Sequence, residues 1–211
     1  MEKIDTIYID ETNDVEANIY QDESAESPRD WDNMGTIYYK HRDYTLGEHE
    51  LTAGSIEDYM RQIADNEGFA EAQNDDEVSD ENIEKWIEKH LIIKPIYIYD
   101  HSGITISTGA FSCPWDSGQC GYIVAKKGAE EMTDEGIDKC LEQEIKTFDE
   151  YLRGDVYGYQ IMVDGDETDS CWGYFGYDYC IEEATSALKH EWKRVEAEQK
   201  EGKQLSKEAQ A

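Results

Sequence analysis

The chain is poor in basic residues and contains no long apolar run. Only 19 of its 211 residues are Lys or Arg, against 50 Asp or Glu, so the formal net charge is −31. So negative a surface repels phosphates, which argues against direct nucleic acid binding. No stretch approaches the about 18 apolar residues of a membrane helix, so we predict no membrane partner. The start, Met1–Asp5, lacks the basic and apolar regions of a signal peptide, so we expect a cytoplasmic protein.

The five cysteines lack the spacing of a common metal site, because no Cys-x-x-Cys pair occurs. The carboxylate-rich stretch 164–169 lacks the Gly and Glu that an EF-hand loop needs at its sixth and twelfth positions. There is no phosphate-binding loop and no Gly-x-Ser-x-Gly motif. We therefore predict no cofactor and no metal. Two alternatives stay open: a partial metal site of His101, Cys113 and Cys120, and a nucleophilic Cys113–His101 pair.

Hydrophobic periodicity predicts an α+β fold, in which an antiparallel sheet of five to seven strands packs against three or four helices. The predicted strands cover residues 6–9, 36–39, 95–100, 104–107, 122–125, 157–163 and 171–177. The predicted helices cover residues 55–66, 79–91, 133–152 and 181–200, with Ser55 as the first N-cap and Ser79 or Asp80 as the second. Residues 10–32 are predicted to form a long acidic loop.

Composition changes near residue 90 from acid-rich to aromatic-rich. This change predicts an acidic region over residues 1–90, an aromatic-rich α+β core over 91–200 and a frayed tail over 201–211. A single continuous domain over the whole chain remains the alternative.

The excess of acid is the main functional signal. A net charge of about 2 to 8 in magnitude is enough for the solubility of a small domain, so −31 suggests a strongly basic partner or adaptation to salt. Within the helix 79–91, carboxylates fall on a different stripe from the apolar residues. The four from Glu77 to Glu88 span about 16 Å, which approaches the charge spacing of a DNA strand. The predicted partner-binding residues are Asp75, Asp76, Glu77, Asp80, Glu81, Glu84 and Glu88, with Asp22, Glu23 and Glu26 in the N-terminal loop.

The loop Phe111–Gly121 is the most unusual local feature, because Pro114 and Gly118 favour sharp turns in it. One interpretation is a rigid connector whose Trp115 is anchored in the core. The other is a recognition loop in which Trp115 and Asp116 contact a partner.

Four segments of the second half resemble an uncharacterised family of proteins from bacteriophages and mobile elements. They are Pro95–Gly103, Phe111–Gln119, Phe148–Gly154 and Asp169–Gly173, and the resemblance covers roughly residues 91–185. It implies a viral or plasmid origin rather than a reaction, and it transfers no catalytic residues. By analogy with acidic anti-restriction and anti-CRISPR proteins, it implies a counter-defence factor in the cytoplasm of a host bacterium.

The leading hypothesis is therefore an inhibitor without enzymatic activity that mimics DNA. Its partner would be a basic nucleic-acid-binding protein or ribonucleoprotein of the host, such as a CRISPR effector or a restriction enzyme. One alternative is a protein-binding module of a mobile element that does not mimic DNA, and the other is a cysteine- or metal-dependent enzyme. Formation of a homodimer is left open.

Overall fold

A computed structural model describes residues 3–9, 15–52, 54–69 and 79–208. In chain order the strands are β1 (Lys3–Tyr8), β2 (Val15–Gln21), β3 (Thr36–Tyr39), β4 (His49–Glu50), β5 (Leu91–Asp100), β6 (Ile104–Ser107), β7 (Ser117–Lys126), β8 (Val156–Val163) and β9 (Asp166–Phe175). The described α-helices are α1 (Ile56–Asn66), α2 (Asp80–His90), α3 (Asp134–Leu152) and α4 (Tyr177–Glu208).

The chain divides into two compact units. A terminal unit combines Met1–Glu26 with Gly154–Ala211, and a central unit comprises Ser27–Arg153. The compositional change near residue 90 lies inside the central unit, at the point where α2 ends and β5 begins. The division therefore differs from the boundary that composition suggested.

The central unit has a five-stranded sheet in the order β4-β3-β7-β5-β6, with helices on both faces. The apolar stripe of α3, which includes Ile137, Leu141 and Ile145, packs on one face against residues such as Ile123. On the other face, α1 and α2 cover a second cluster around Tyr38 and Val124. The sheet is buried on both sides, which explains why its strands are rich in apolar residues.

The terminal unit is a four-stranded antiparallel sheet in the order β1-β2-β8-β9. Its inner face packs against α4, where Cys180, Ala184 and Leu188 are fully buried against Ile19 and Ile161. The β8–β9 hairpin turns tightly at Asp164 and Gly165, which both have positive φ values of 51° and 86°. An Asp-Gly pair is well suited to such a two-residue turn.

The α+β class and the helix starts at Ser55 and Ser79 are confirmed. Ser55 forms a capping box with Asp58, and Ser79 accepts the N–H of Asn82. Three details of the predicted fold are wrong. The strands form two sheets rather than one, residues 15–21 are a strand rather than a loop, and the last helix continues to Glu208. Among the described residues, no helix is long and apolar enough to cross a membrane.

Candidate functional site

The outer surface of α1 and α2 carries seven carboxylates, all exposed. They are Glu57, Asp58 and Asp65 on α1 with Asp80, Glu81, Glu84 and Glu88 on α2. The four on α2 were predicted as binding residues, and the predicted separation of their stripe from the buried Ile83 is confirmed. The three on α1 were missed because only the packing of α1 against α2 brings them onto the same surface. We call these seven residues the acidic face.

Two carboxylates of the acidic face form ion pairs with described cations. Asp80 pairs with Arg61 at 2.6 Å and Glu81 pairs with Lys85 at 2.6 Å. For the other five carboxylates, no Lys or Arg nitrogen lies within 4.0 Å in the part of the chain that the structure describes. Hydrogen bonds to Ser55 lower the pKa of Glu57 and of Asp58, so both side chains are ionised at neutral pH.

The opposite helix of the central unit, α3, also carries seven carboxylates, but each of them has a cation within 4.0 Å. They are Asp134, Glu135, Asp138, Glu142, Glu144, Asp149 and Glu150. Lys94, for example, lies 2.7 Å from Asp138 and 2.8 Å from Glu142. The two sides of the sheet therefore differ in charge balance although they carry the same number of acids.

The cations of the central unit are almost all used in such pairs. The unit has 28 acidic and 12 basic residues, and 11 of the 12 form ion pairs within it; Lys89 is the exception among the described contacts. Because most of the pairs form away from the acidic face, that face keeps part of the surplus negative charge of the unit.

The charge row on α2 is less dense than the sequence suggested. Lys85 and Lys89 are exposed on the same helix, so α2 presents four carboxylates and two ammonium groups. Glu84 and Glu88 lie about 6 Å apart along the helix axis. The carboxylates of α2 alone therefore do not reproduce the spacing of phosphate charges along a DNA strand. The negative surface also depends on the carboxylates of α1.

The other predicted acidic residues belong neither to α1 nor to α2. Asp75, Asp76 and Glu77 lie outside the described residues. Asp22, Glu23 and Glu26 belong to the terminal unit. Asp22 has a local role there, because its carboxylate accepts hydrogen bonds from the backbone N–H and the hydroxyl of Ser24, both at 3.1 Å.

Trp115 is not anchored in the core. Its side chain is 91% exposed, so the rigid-connector interpretation with a buried indole is wrong. Asp116 is exposed as well, and its carbonyl oxygen accepts the N–H of Asp100 at 2.9 Å. The prediction that Trp115 and Asp116 contact a partner is compatible with this exposure and stays a prediction.

The thiol of Cys113 donates its hydrogen bond to the carboxylate of Asp116. One oxygen of Asp116 lies 3.7 Å from the Cys113 sulfur and 3.6 Å from Nδ1 of His101. The Asp116 carboxylate therefore lies next to both the Cys113 thiol and the His101 imidazole. Activation of a thiol as a nucleophile instead needs an imidazole that accepts the thiol proton. Cys120 is buried, which raises the pKa of its thiol to about 12 and opposes thiolate ligation. No cluster of three or more potential metal ligands occurs among the described residues.

Among the cavities lined by described residues of the central unit, three do not coincide with the acidic face as a whole. One, of about 530 Å³, lies between β6 and α3 and is lined by Ser107, Phe111 and Asp149. Another, of about 240 Å³, is lined by Trp31 and the half-buried Cys140. The third, of about 260 Å³, reaches from Lys40 to Ile56 at the start of α1.

Comparisons of the chain with protein-family models, curated proteins and solved structures found no match. The resemblance to a phage family therefore stays a prediction.

Proposed function

We propose that this protein is an inhibitor that binds a basic, nucleic-acid-binding host complex through the acidic face of α1 and α2. In this proposal the carboxylates form ion pairs with Lys and Arg side chains of the host complex. The same side chains otherwise bind phosphate groups, so the inhibitor competes with nucleic acid. The observation that carries the proposal is the one-sided charge balance of the central unit. Within the described residues, five of the seven carboxylates on α1 and α2 have no Lys or Arg nitrogen within 4.0 Å, whereas each of the seven on α3 has one.

The asymmetry favours a binding surface over general solubility. A charge that served only to keep the chain soluble would not need the carboxylates of α1 and α2 to differ in ion pairing from those of α3. A concentrated negative surface raises the rate of association with a basic partner and fixes its orientation. The resemblance to a bacteriophage family supports a CRISPR effector or a restriction enzyme as the class of target.

The proposal is tested by competition with DNA. Purified CRISPR effectors and restriction enzymes are incubated with labelled duplex, and displacement of the duplex by the protein is measured by gel shift at 50 and 200 mM NaCl. We expect displacement by at least one complex, with an affinity that weakens steeply with salt because ion pairs dominate the contact.

The matched variants are E84Q/E88Q on the acidic face and E135Q/E142Q on α3, which remove the same charge. Loss of two exposed ion pairs on the binding surface corresponds to about 1.4 kcal/mol, so we expect E84Q/E88Q to weaken inhibition about tenfold. E135Q/E142Q changes inhibition less than about twofold, since its residues face away from the partner. Equal effects of the two variants would show that total charge, rather than the acidic face, causes inhibition.

A further inference from the structure

The loop between β6 and β7 presents an exposed indole on a fixed backbone. Trp115 is 91% exposed, although an indole ordinarily buries most of its large apolar surface. On one side of it, Asp116 is tied to the end of β5 through the N–H of Asp100 at 2.9 Å. On the other side, the Ser117 hydroxyl donates a hydrogen bond to the carbonyl oxygen of Cys113. The indole is therefore held out into solvent by an ordered loop.

Two exposed acidic residues, Asp116 and Asp100, belong to the loop of this indole and to the strand end that the loop contacts. Asp116 follows Trp115 directly in sequence, and the Asp116 backbone is bonded to Asp100 at the end of β5. The hydrogen bond that Arg42 donates to the carboxylate of Asp43 raises the pKa of Arg42, and the nearby charge of Asp100 raises it further. Arg42 is ion-paired with Asp43 at 2.8 Å, so the charges of these two residues largely cancel.

We propose that Trp115 is the anchor of an interface with a partner protein segment that carries Lys or Arg beside apolar side chains. The indole supplies apolar area together with a π face that attracts cations. Asp100 and Asp116 supply opposite charges for the same basic residues. Trp is among the residue types that most often dominate the binding energy of protein interfaces.

Charge complementarity separates this partner from a second copy of the same chain. Two copies would each bring a net charge of −31. In addition, 11 of the 12 basic residues of the central unit are already ion-paired, so the central unit of a second copy would offer few cations to Asp100 and Asp116. The inference adds a second contact point to the proposed function, but its test does not depend on the acidic face.

The test selects peptides from a random library displayed on phage against the immobilised full-length protein. Selection in 0.5 M NaCl suppresses the general attraction between basic peptides and an acidic chain. We expect enriched peptides that combine Lys or Arg with apolar residues. W115A should weaken their binding at least about tenfold, as loss of an interface anchor does, and W115F should restore part of it. D100N/D116N should weaken it to a smaller extent.

Two control variants make the result specific. Trp31 is half exposed elsewhere on the central unit, so W31A should leave peptide binding within about twofold, as should E84Q/E88Q. The inference is overturned if no peptide depends on Trp115, or if the dependent peptides lack Lys and Arg. Binding of the protein to phosphatidylcholine vesicles that W115A abolishes would also overturn it, because Trp115 would then be a membrane contact. A failure of E84Q/E88Q to affect DNA competition would contradict the proposed function alone.

Discussion

Single residues decide which carboxylates are structural and which are available to a partner. Glu144 on α3 accepts the N–H groups of Met34 at 2.8 Å and Gly35 at 3.2 Å, and it lies 3.2 Å from Arg29. The side chains of Arg29 and Glu144 are only 9% and 16% exposed. The Glu144 carboxylate therefore connects the segment before β3 to α3. Its negative charge is balanced by Arg29 within the fold.

We expect E144A to lower the free energy of unfolding of the central unit by about 3 kcal/mol. The reason is that it leaves a largely buried guanidinium with one carboxylate fewer and removes the acceptor of two backbone N–H groups. Urea unfolding followed by Trp fluorescence measures the change. E135A removes an exposed pair with Lys139, so its expected effect is about 0–1 kcal/mol. Similar losses for both variants would contradict the structural role of Glu144.

The same scale explains the wrong interpretation of Trp115. The hydrophobicity of an indole predicts that its burial is favourable. It does not predict whether the loop can place the indole in an apolar pocket. In the structure, Asp116 and Ser117 fix the loop through polar contacts, and the indole is left outside. The exposed position makes Trp115 a residue whose replacement tests binding without a large effect on folding.

At the scale of elements, α1 owes its start to a local signal. Ser55 accepts the N–H of Asp58 at 3.3 Å, and Asp58 accepts the N–H of Ser55 at 2.8 Å. This capping box satisfies two N–H groups that the first turn of a helix otherwise leaves unpaired. It also orients the first turn of α1, which carries Glu57 and Asp58 of the acidic face.

S55A should therefore reduce the stability of the central unit by about 1 kcal/mol, as loss of an N-cap usually does. Thermal unfolding followed by circular dichroism measures the change. Ser186 is exposed in the middle of α4 and provides the control, because S186A removes a hydroxyl without removing a cap. If S55A had the same melting temperature as the unmodified protein, tertiary packing rather than the N-cap would determine where α1 begins.

The helix α2 and the strand β2 show which sequence patterns predict secondary structure correctly and which do not. The stripe of α2 was predictable because side chains three or four residues apart lie on one side of a helix. The density of its charge was overestimated, since Lys85 and Lys89 share the exposed side with Glu84 and Glu88. Strand β2 was missed because residues 10–32 are rich in acids, although Val15, Ala17 and Ile19 alternate as a half-buried strand requires.

For the whole molecule, the negative charge is divided almost equally between the two units. The terminal unit carries 22 acidic and 7 basic residues, and the central unit carries 28 and 12, which gives net charges of −15 and −16. Repulsion among so many like charges opposes the compact state, and dissolved salt screens it over about 10 Å at 0.1 M.

We therefore expect the melting temperature to rise by several degrees between 50 and 500 mM NaCl, because screening removes part of this repulsion. Scanning calorimetry across a salt series measures the rise. The protein should already be folded at 50 mM NaCl if its charge serves binding. A chain that folds only above about 1 M salt would instead support the alternative of salt adaptation, since molar salt is then needed to screen its charge.

The sequence by itself determined the α+β class, the starts of α1 and α2 and the separation of acidic from apolar residues on α2. These features depend on residues close together in the chain, whose interactions follow from helix and strand periodicity. Only the tertiary structure decided which carboxylates are neutralised and that Trp115 is exposed. Lys94 meets Asp138 and Glu142 across 44 and 48 positions, and such contacts arise from packing rather than from local pattern.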